Sequence, residues 1–229
     1  MKKRIVSFVI DKNLDIKNHL IQLDYYKGKF SSRKRRKNDF YDKLLKLSPK
    51  KSGVRIRENI GRFYLPNKRK ILTSISKDVN SEWIKIETVY FKRLEKIHNH
   101  LFPFSHVKAV LSTAGGFGYS TQGRWFATSM TQNKFIAIDI AMHELMHFMF
   151  HKYYWDECAK KGLTWKQIWN IKEAFTVLLN LEFSDIRFQT DYGYPEHKNI
   201  REAIKKSWKK YHDFDKALDS AIKVAKLSS

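Results

Sequence analysis

Three residues, His143, Glu144 and His147, stand at spacings that could do chemistry. On a helix, residues four apart share a face, so both imidazoles project together and can grip a single Zn²⁺. Glu144 lies beside them, placed to take a proton from water that such an ion activates. The surrounding stretch is Phe135-Ile-Ala-Ile-Asp-Ile-Ala-Met-His-Glu-Leu-Met-His-Phe-Met-Phe-His151, almost wholly apolar outside the motif. A helix that is apolar all round is buried. Burying a carboxylate and two imidazoles is costly unless they are paired or bind a metal. The competing reading is a core helix whose histidines are merely hydrogen-bonded.

A catalytic zinc takes three protein ligands and keeps a fourth position open. His151 lies one turn beyond His147, but at a 1.5 Å rise per residue it stands about 12 Å from His143 along a straight helix. It is therefore expected at the rim of the site. Glu173 is the preferred third ligand. It lies 26 positions after His147, within Trp169-Asn-Ile-Lys-Glu-Ala-Phe-Thr-Val-Leu-Leu-Asn180. That interval lets the chain turn and return a second helix against the first. Asn170, Thr176 and Asn180 could support a buried carboxylate with uncharged polar groups. Asp156 and Glu157 are alternatives on the intervening segment. The plainer reading of Glu173 is a boundary glutamate paired with Lys166 or Lys172.

These residues need elements to hold them. Residues 4–10 alternate as a strand would, and 11–26 read as a short helix. Residues 53–76 suggest extended structure, from Val54-Arg-Ile-Arg and Gly61-Arg-Phe-Tyr-Leu. Residues 81–101 form an amphipathic helix by the recurrence of Trp83, Ile86, Tyr90, Leu94, Ile97 and Leu101, with Ser81 as N-cap and Pro103 as its end. Residues 107–112 read as a strand, 114–123 as a glycine-rich turn and 124–130 as an edge strand. Residues 135–140 are a buried strand or a lead-in to the motif helix, which spans 140–153. A long helix over 164–183, capped by Thr164, and two more over 195–209 and 213–227 complete the chain. The fold class is α+β. Residues 1–78 read as a basic N-terminal region and 79–229 as the domain bearing the site.

The net charge of +22 is uneven. Residues 1–78 carry 23 Lys and Arg against 7 Asp and Glu, a net +16; residues 79–229 carry 22 against 16, a net +6. The densest run is Arg33-Lys-Arg-Arg-Lys37. Such a region attracts nucleic acid, anionic lipid or an acidic protein partner; a solvated loop explains it as well. No zinc-finger spacing or phosphate-binding glycine loop accompanies it. Cys158 is the single cysteine, so no internal disulfide is possible. With no secretory leader and no apolar run of membrane-spanning length, a cytoplasmic protein is expected.

The pentapeptide His143-Glu-Leu-Met-His147 is the HExxH pattern of zinc metallopeptidases. With a glutamate on a later helix, the chain resembles the gluzincins. It also resembles the ImmA/IrrE-like peptidases through His143-Glu-Leu-Met-His-Phe-Met-Phe-His151 and a later Glu173-Ala-Phe. Tyr153 stands where a metzincin would have its third histidine. The resemblance covers residues 124–182. It departs at Val177, where gluzincins usually carry aspartate, and at Met146, where a small residue is usual. What it implies is a zincin-like domain with a small sheet backing the HExxH helix. Zinc would be held by His143, His147 and Glu173, with Glu144 as general base and a protein or peptide substrate. A downstream Tyr or His would face the oxyanion, here Tyr194 in preference to Tyr192 or His197, and the strand over 124–130 would bind extended substrate by main-chain pairing. The competing classes are a basic nucleic-acid-binding protein with a vestigial site, and a toxin or regulatory protein acting on one partner.

Overall fold

The computed structural model describes residues 5–28 and 38–227; the run Arg33–Lys37 lies outside them. The architecture is α+β, a four-stranded mixed sheet with many helices. The chain divides into two compact units, Met1–Glu82 with His106–Ile138 and Trp83–Ser105 with Asp139–Ser229.

The first unit contains the sheet. Strand β1 (Val6–Val9) is followed by α1 (Lys12–Tyr26), α2 (Asp39–Leu44) and α3 (Pro49–Gly61); helix α4 (Arg69–His98) begins here. Strands β2 (Val107–Ser112), β3 (Tyr119–Ser120) and β4 (Trp125–Ser129) complete it in the order β1-β2-β4-β3. β1 and β4 run parallel to β2, and β3 runs antiparallel to β4. The strand read over 124–130 is therefore interior. It has a neighbour on each side and all five of its residues are buried, although β3 pairs with Trp125 and Phe126 alone. Trp125 and Phe126 are therefore not open to pair with an extended substrate, and the edges of this sheet are β1 and β3.

Residues 53–61 and 66–76 are helical where extended structure was expected, with a turn over 62–65 between them. Ser48 caps α3 through its hydroxyl and Pro49 opens it, a favoured helix start. Ser52, Ile56 and Ile60 recur every four residues and are buried, Ile56 and Ile60 against Leu23, Tyr41 and Leu44. The local alternation of Val54 to Arg57 hid that longer period. Helix α4 starts at Arg69, twelve residues before Ser81, which donates to the Asp78 carbonyl instead of capping. It stops at His98, where Asn99 turns left-handed (φ 51°), ahead of Pro103.

The second unit holds the rest of α4, most of α5 (Lys134–Tyr153), then α6 (Trp155–Lys160), α7 (Trp165–Phe175), α8 (Val177–Glu182), α9 (Lys198–Tyr211) and α10 (Phe214–Leu227). α5 begins six residues before the motif helix expected from sequence. Asn133 Oδ1 accepts from the amides of Phe135 and Ile136 and caps it there, so 135–140 is helix and not strand. Thr164 caps α7 in a reciprocal capping box with Gln167, as the sequence suggests. The long helix read over 164–183 breaks at Thr176, whose hydroxyl donates to the Glu173 carbonyl. Aromatic packing of Phe150, Phe175, Phe214 and Tyr154 ties α5, α7 and α10 together. Cys158 is buried. No helix among the described residues is long and apolar enough to cross a membrane.

Candidate metal centre

Helix α5 delivers two imidazoles and α7 one carboxylate. The Tyr90 hydroxyl donates to the Met142 carbonyl at 2.7 Å, fixing α5 one residue before His143. The rings of His143 and His147 lie 4.5 Å apart and nearly perpendicular, at 78°. Glu173 Oε2 stands 3.6 Å from His143 Nε2 and 3.5 Å from His147 Nε2. One donor atom from each residue lies within 4.8 Å of the others.

These separations bear on the choice between a hydrogen-bonded core and a metal site. Both lie at the long limit of an N–H···O hydrogen bond, so bonds among the three groups are weak ones. A tetrahedral zinc with bonds of about 2.0–2.1 Å would set its ligand atoms roughly 3.3–3.4 Å apart, close to the two separations from Glu173 Oε2. The donors therefore fit a small divalent cation, and His143, His147 and Glu173 could hold one. Beside them, Glu144 is buried and its Oε2 has no hydrogen-bond partner. A carboxylate oxygen left so inside a protein is one that something else is meant to meet.

The two rings differ in their surroundings. His143 Nδ1 and Asp191 Oδ2 are 3.0 Å apart, a contact in which Nδ1 donates to the carboxylate and which turns Nε2 toward Glu173. Burial pulls the His143 pKa down, but the carboxylates of Asp191 and Glu173 outweigh it and raise it to about 10. A bound cation would take the place of that extra proton. Burial, reinforced by Lys172, drives His147 to about 3, so its lone pair is available. Burial pushes Glu144 up to about 7. Burial acts to raise Glu173, yet Lys172 and His147 hold it well below the usual carboxylate range. For Asp191, burial is likewise outweighed by His143 and Arg201, leaving it at about 2.

Asp191 is the contact that sequence reading passed over. It lies 48 positions from His143, in an irregular segment where no periodicity marks it. The structure pins it thoroughly. Its backbone N–H donates to Asn180 Oδ1, its carbonyl accepts from Asn180 Nδ2 and Arg201, and Oδ1 accepts from Arg201 and the Gly193 amide. Gly193 has φ +63°, and a Cβ there would come within 2.6 Å of the Arg201 guanidinium, so only glycine fits. Asp139, one turn before His143 on α5, accepts from the amides of Phe188 and Gln189 and holds the start of the same segment. The one readable signal was Asp191-Tyr-Gly193, an acid beside a turn glycine.

The other sequence candidates fall outside the triad. His151 stacks on Trp155 with centroids 4.5 Å apart and is pushed by burial to about 4. Asp156 and Glu157 are exposed on α6, where Glu157 pairs with Lys161. Tyr194 stacks on Trp169 at 6.5 Å and meets His197 edge-on at 5.3 Å. Trp169 stacks in turn on Trp165, which is half exposed, so an aromatic row runs along the side of α7 that leads to Glu173. The plainer reading of Glu173 also holds in part, since Lys172 Nζ lies 2.8 Å from its Oε1. Comparison with known protein families, curated proteins and solved structures finds no match to this chain.

Proposed function

We propose that the protein is a zinc-dependent hydrolase of peptide bonds. The observation that carries this reading is Glu173 Oε2 facing two imidazole nitrogens at 3.5 and 3.6 Å beside the unsatisfied, buried Glu144 Oε2. His143, His147 and Glu173 would hold the ion. When bound, it supplies a Lewis acid that acidifies water and polarises the scissile carbonyl.

The chain's own groups do the rest. Glu144, with a pKa raised by burial to about 7, is matched to accepting a proton from the attacking water near neutral pH and passing it to the leaving amine. Asp191 keeps His143 in one tautomer and orientation, and Arg201 keeps Asp191 ionised. The rings of Trp165, Trp169 and Tyr194 offer apolar side chains of a polypeptide a surface to stack on. Tyr194 is our candidate donor to the developing oxyanion; Tyr194→Phe would then lower kcat more than it raises KM. Zinc is preferred because two nitrogens and one oxygen in a compact triad suit its tetrahedral habit.

The test is metal analysis of the purified protein with peptide cleavage assays. Stoichiometric zinc in the wild type, its loss in His147→Ala, and retention with loss of cleavage in Glu144→Gln support the reading. Wild-type protein that binds no divalent cation defeats it.

A second reading has its own observation. Arg62, Lys68, Arg69, Lys70 and Lys77 are all exposed around the end of α3 and the start of α4. Arg69, Lys70 and Lys77 line a surface groove with Thr73 and Ser74. Nucleic acid would find paired cations and hydroxyls there. Binding to DNA or RNA that falls steeply with salt, and is untouched by Glu144→Gln, would favour this reading.

A further inference from the structure

Lys172 stands next to the candidate third ligand and is buried, with its side chain wholly inaccessible. A buried ammonium is costly unless it is paired and serves something. Its Nζ lies 2.8 Å from Glu173 Oε1 and 5.5 Å from the Trp169 ring centroid. The two oxygens of Glu173 are thus divided. Oε2 faces both histidines, and Oε1 is claimed by Lys172. Resting on the metal-site reading above, we propose that Lys172 is a positioning residue that confines Glu173 to one-oxygen binding of the ion.

The consequence is chemical. A carboxylate free at both oxygens can turn and offer the pair, filling a position that a hydrolytic site needs open for water. With Oε1 hydrogen-bonded to an ammonium, only Oε2 is available. The same positive charge withdraws electron density from the carboxylate and repels the cation. Lys172 therefore weakens metal binding while keeping the centre open and more strongly Lewis-acidic. This is the opposite of what a packing role predicts, where replacing the lysine would loosen the site and reduce affinity.

The experiment uses Co²⁺ as the probe in the full-length protein. Four-coordinate Co²⁺ absorbs visible light several-fold more strongly than five- or six-coordinate Co²⁺. Wild-type protein is expected to give intense bands. Lys172→Met keeps the length and volume of the side chain without its charge. It is expected to bind Co²⁺ roughly tenfold more tightly, the order by which partners of metal ligands shift affinity, with weaker bands. Lys172→Arg, which keeps an N–H donor, should retain the intense bands. Unchanged intensity, or weaker binding, in a folded Lys172→Met protein overturns the proposal. Should that variant fail to fold, X-ray absorption of the zinc-loaded wild type decides the matter. One short carboxylate oxygen supports the proposal, and two at similar distances overturn it. Absence of any Co²⁺ binding by the wild type removes the metal-site reading itself, a result separable from either of these.

Discussion

Each unit buries a carboxylate with histidine, and the two clusters are finished differently. In the first unit Asp15 and His19 lie one turn apart on α1. Asp15 Oδ1 accepts from Ser112 Oγ and the Thr113 amide, and Oδ2 accepts from Thr113 Oγ1 and the Tyr64 hydroxyl. His19 Nε2 meets Thr113 Oγ1 at 3.0 Å and Nδ1 meets the Tyr41 hydroxyl at 2.8 Å. Asn18 donates to Ser112 and Gly116 and accepts from the Gly118 amide. That cluster is closed: protein groups meet both nitrogens of His19 and both oxygens of Asp15, and it locks the glycine-rich segment after β2 onto α1. In the second unit two of the three candidate ligands have outward partners, His143 in Asp191 and Glu173 in Lys172. The inward-facing atoms converge instead at 3.5 and 3.6 Å, and Glu144 Oε2 has no partner. A satisfied network specifies structure, whereas one supported from behind and open in front has room for an ion and a reaction.

The comparison breaks first at Glu144. If the open cluster is catalytic, Glu144→Gln should cut the rate of peptide cleavage by roughly 10²–10⁴-fold, the usual worth of a general base, while metal content and unfolding midpoint hold. An activity that survived this change would have to come from elsewhere in the molecule. The closed cluster should behave in reverse. Asp15→Ala strips the acceptor from four donors and is expected to lower stability by about 3 kcal/mol, measured by denaturant titration. Bound zinc per folded molecule should not change. Loss of zinc from a folded Asp15→Ala protein would mean that the two clusters are not independent.

Asp191→Asn sharpens the contrast, since it alters only the support behind a ligand. The amide can still meet His143 Nδ1, but without the charge that favours the metal-binding tautomer. Zinc affinity is expected to fall by roughly 10–100-fold, read by competition with a chromogenic chelator. An unchanged affinity would reduce Asp191 to a loop fastener.

What could be read in the chain follows the range of the interaction. His143, Glu144 and His147 are legible because one helical turn is a fixed distance. Glu173 is legible because a single helix return suffices to bring it back. Asp191 is not, because 48 residues of loop and helix set its place and nothing periodic points to it. The α+β class is visible in the alternation of strand-like and helix-like segments, but the interior position of β4 is not. Strand order depends on which hydrogen-bonding edges meet across long intervals, here β2 lying between β1 and β4. Residues 53–76 show how a period of two over four residues can mask a period of four over nine, the one that Ser52, Ile56 and Ile60 obey. Lys172 was visible only as a counter-ion for Glu173; that it claims one oxygen and leaves the other to the histidines is a matter of side-chain placement.

The smallest expected effect concerns a buried histidine that belongs to neither cluster. His98 ends α4 in the second unit, packed against Tyr154 and Phe214, and neither ring nitrogen has a hydrogen-bond partner. Burial, aided by His100, drives its pKa from 6.5 to about 3. Between those values the unfolded chain binds a proton that the folded protein refuses, so stability falls as pH falls through this window and is unaffected above it. At pH 5.5 the loss attributable to His98 is about 1.4 kcal/mol. In chelator-treated protein, the drop in unfolding free energy from pH 7.5 to 5.5 should therefore be smaller by that amount in His98→Phe than in wild type. All other titrating groups contribute equally to both and cancel. Equal drops in the two proteins would mean that His98 accepts its proton in the folded state, and that an apolar pocket alone does not hold an imidazole neutral here.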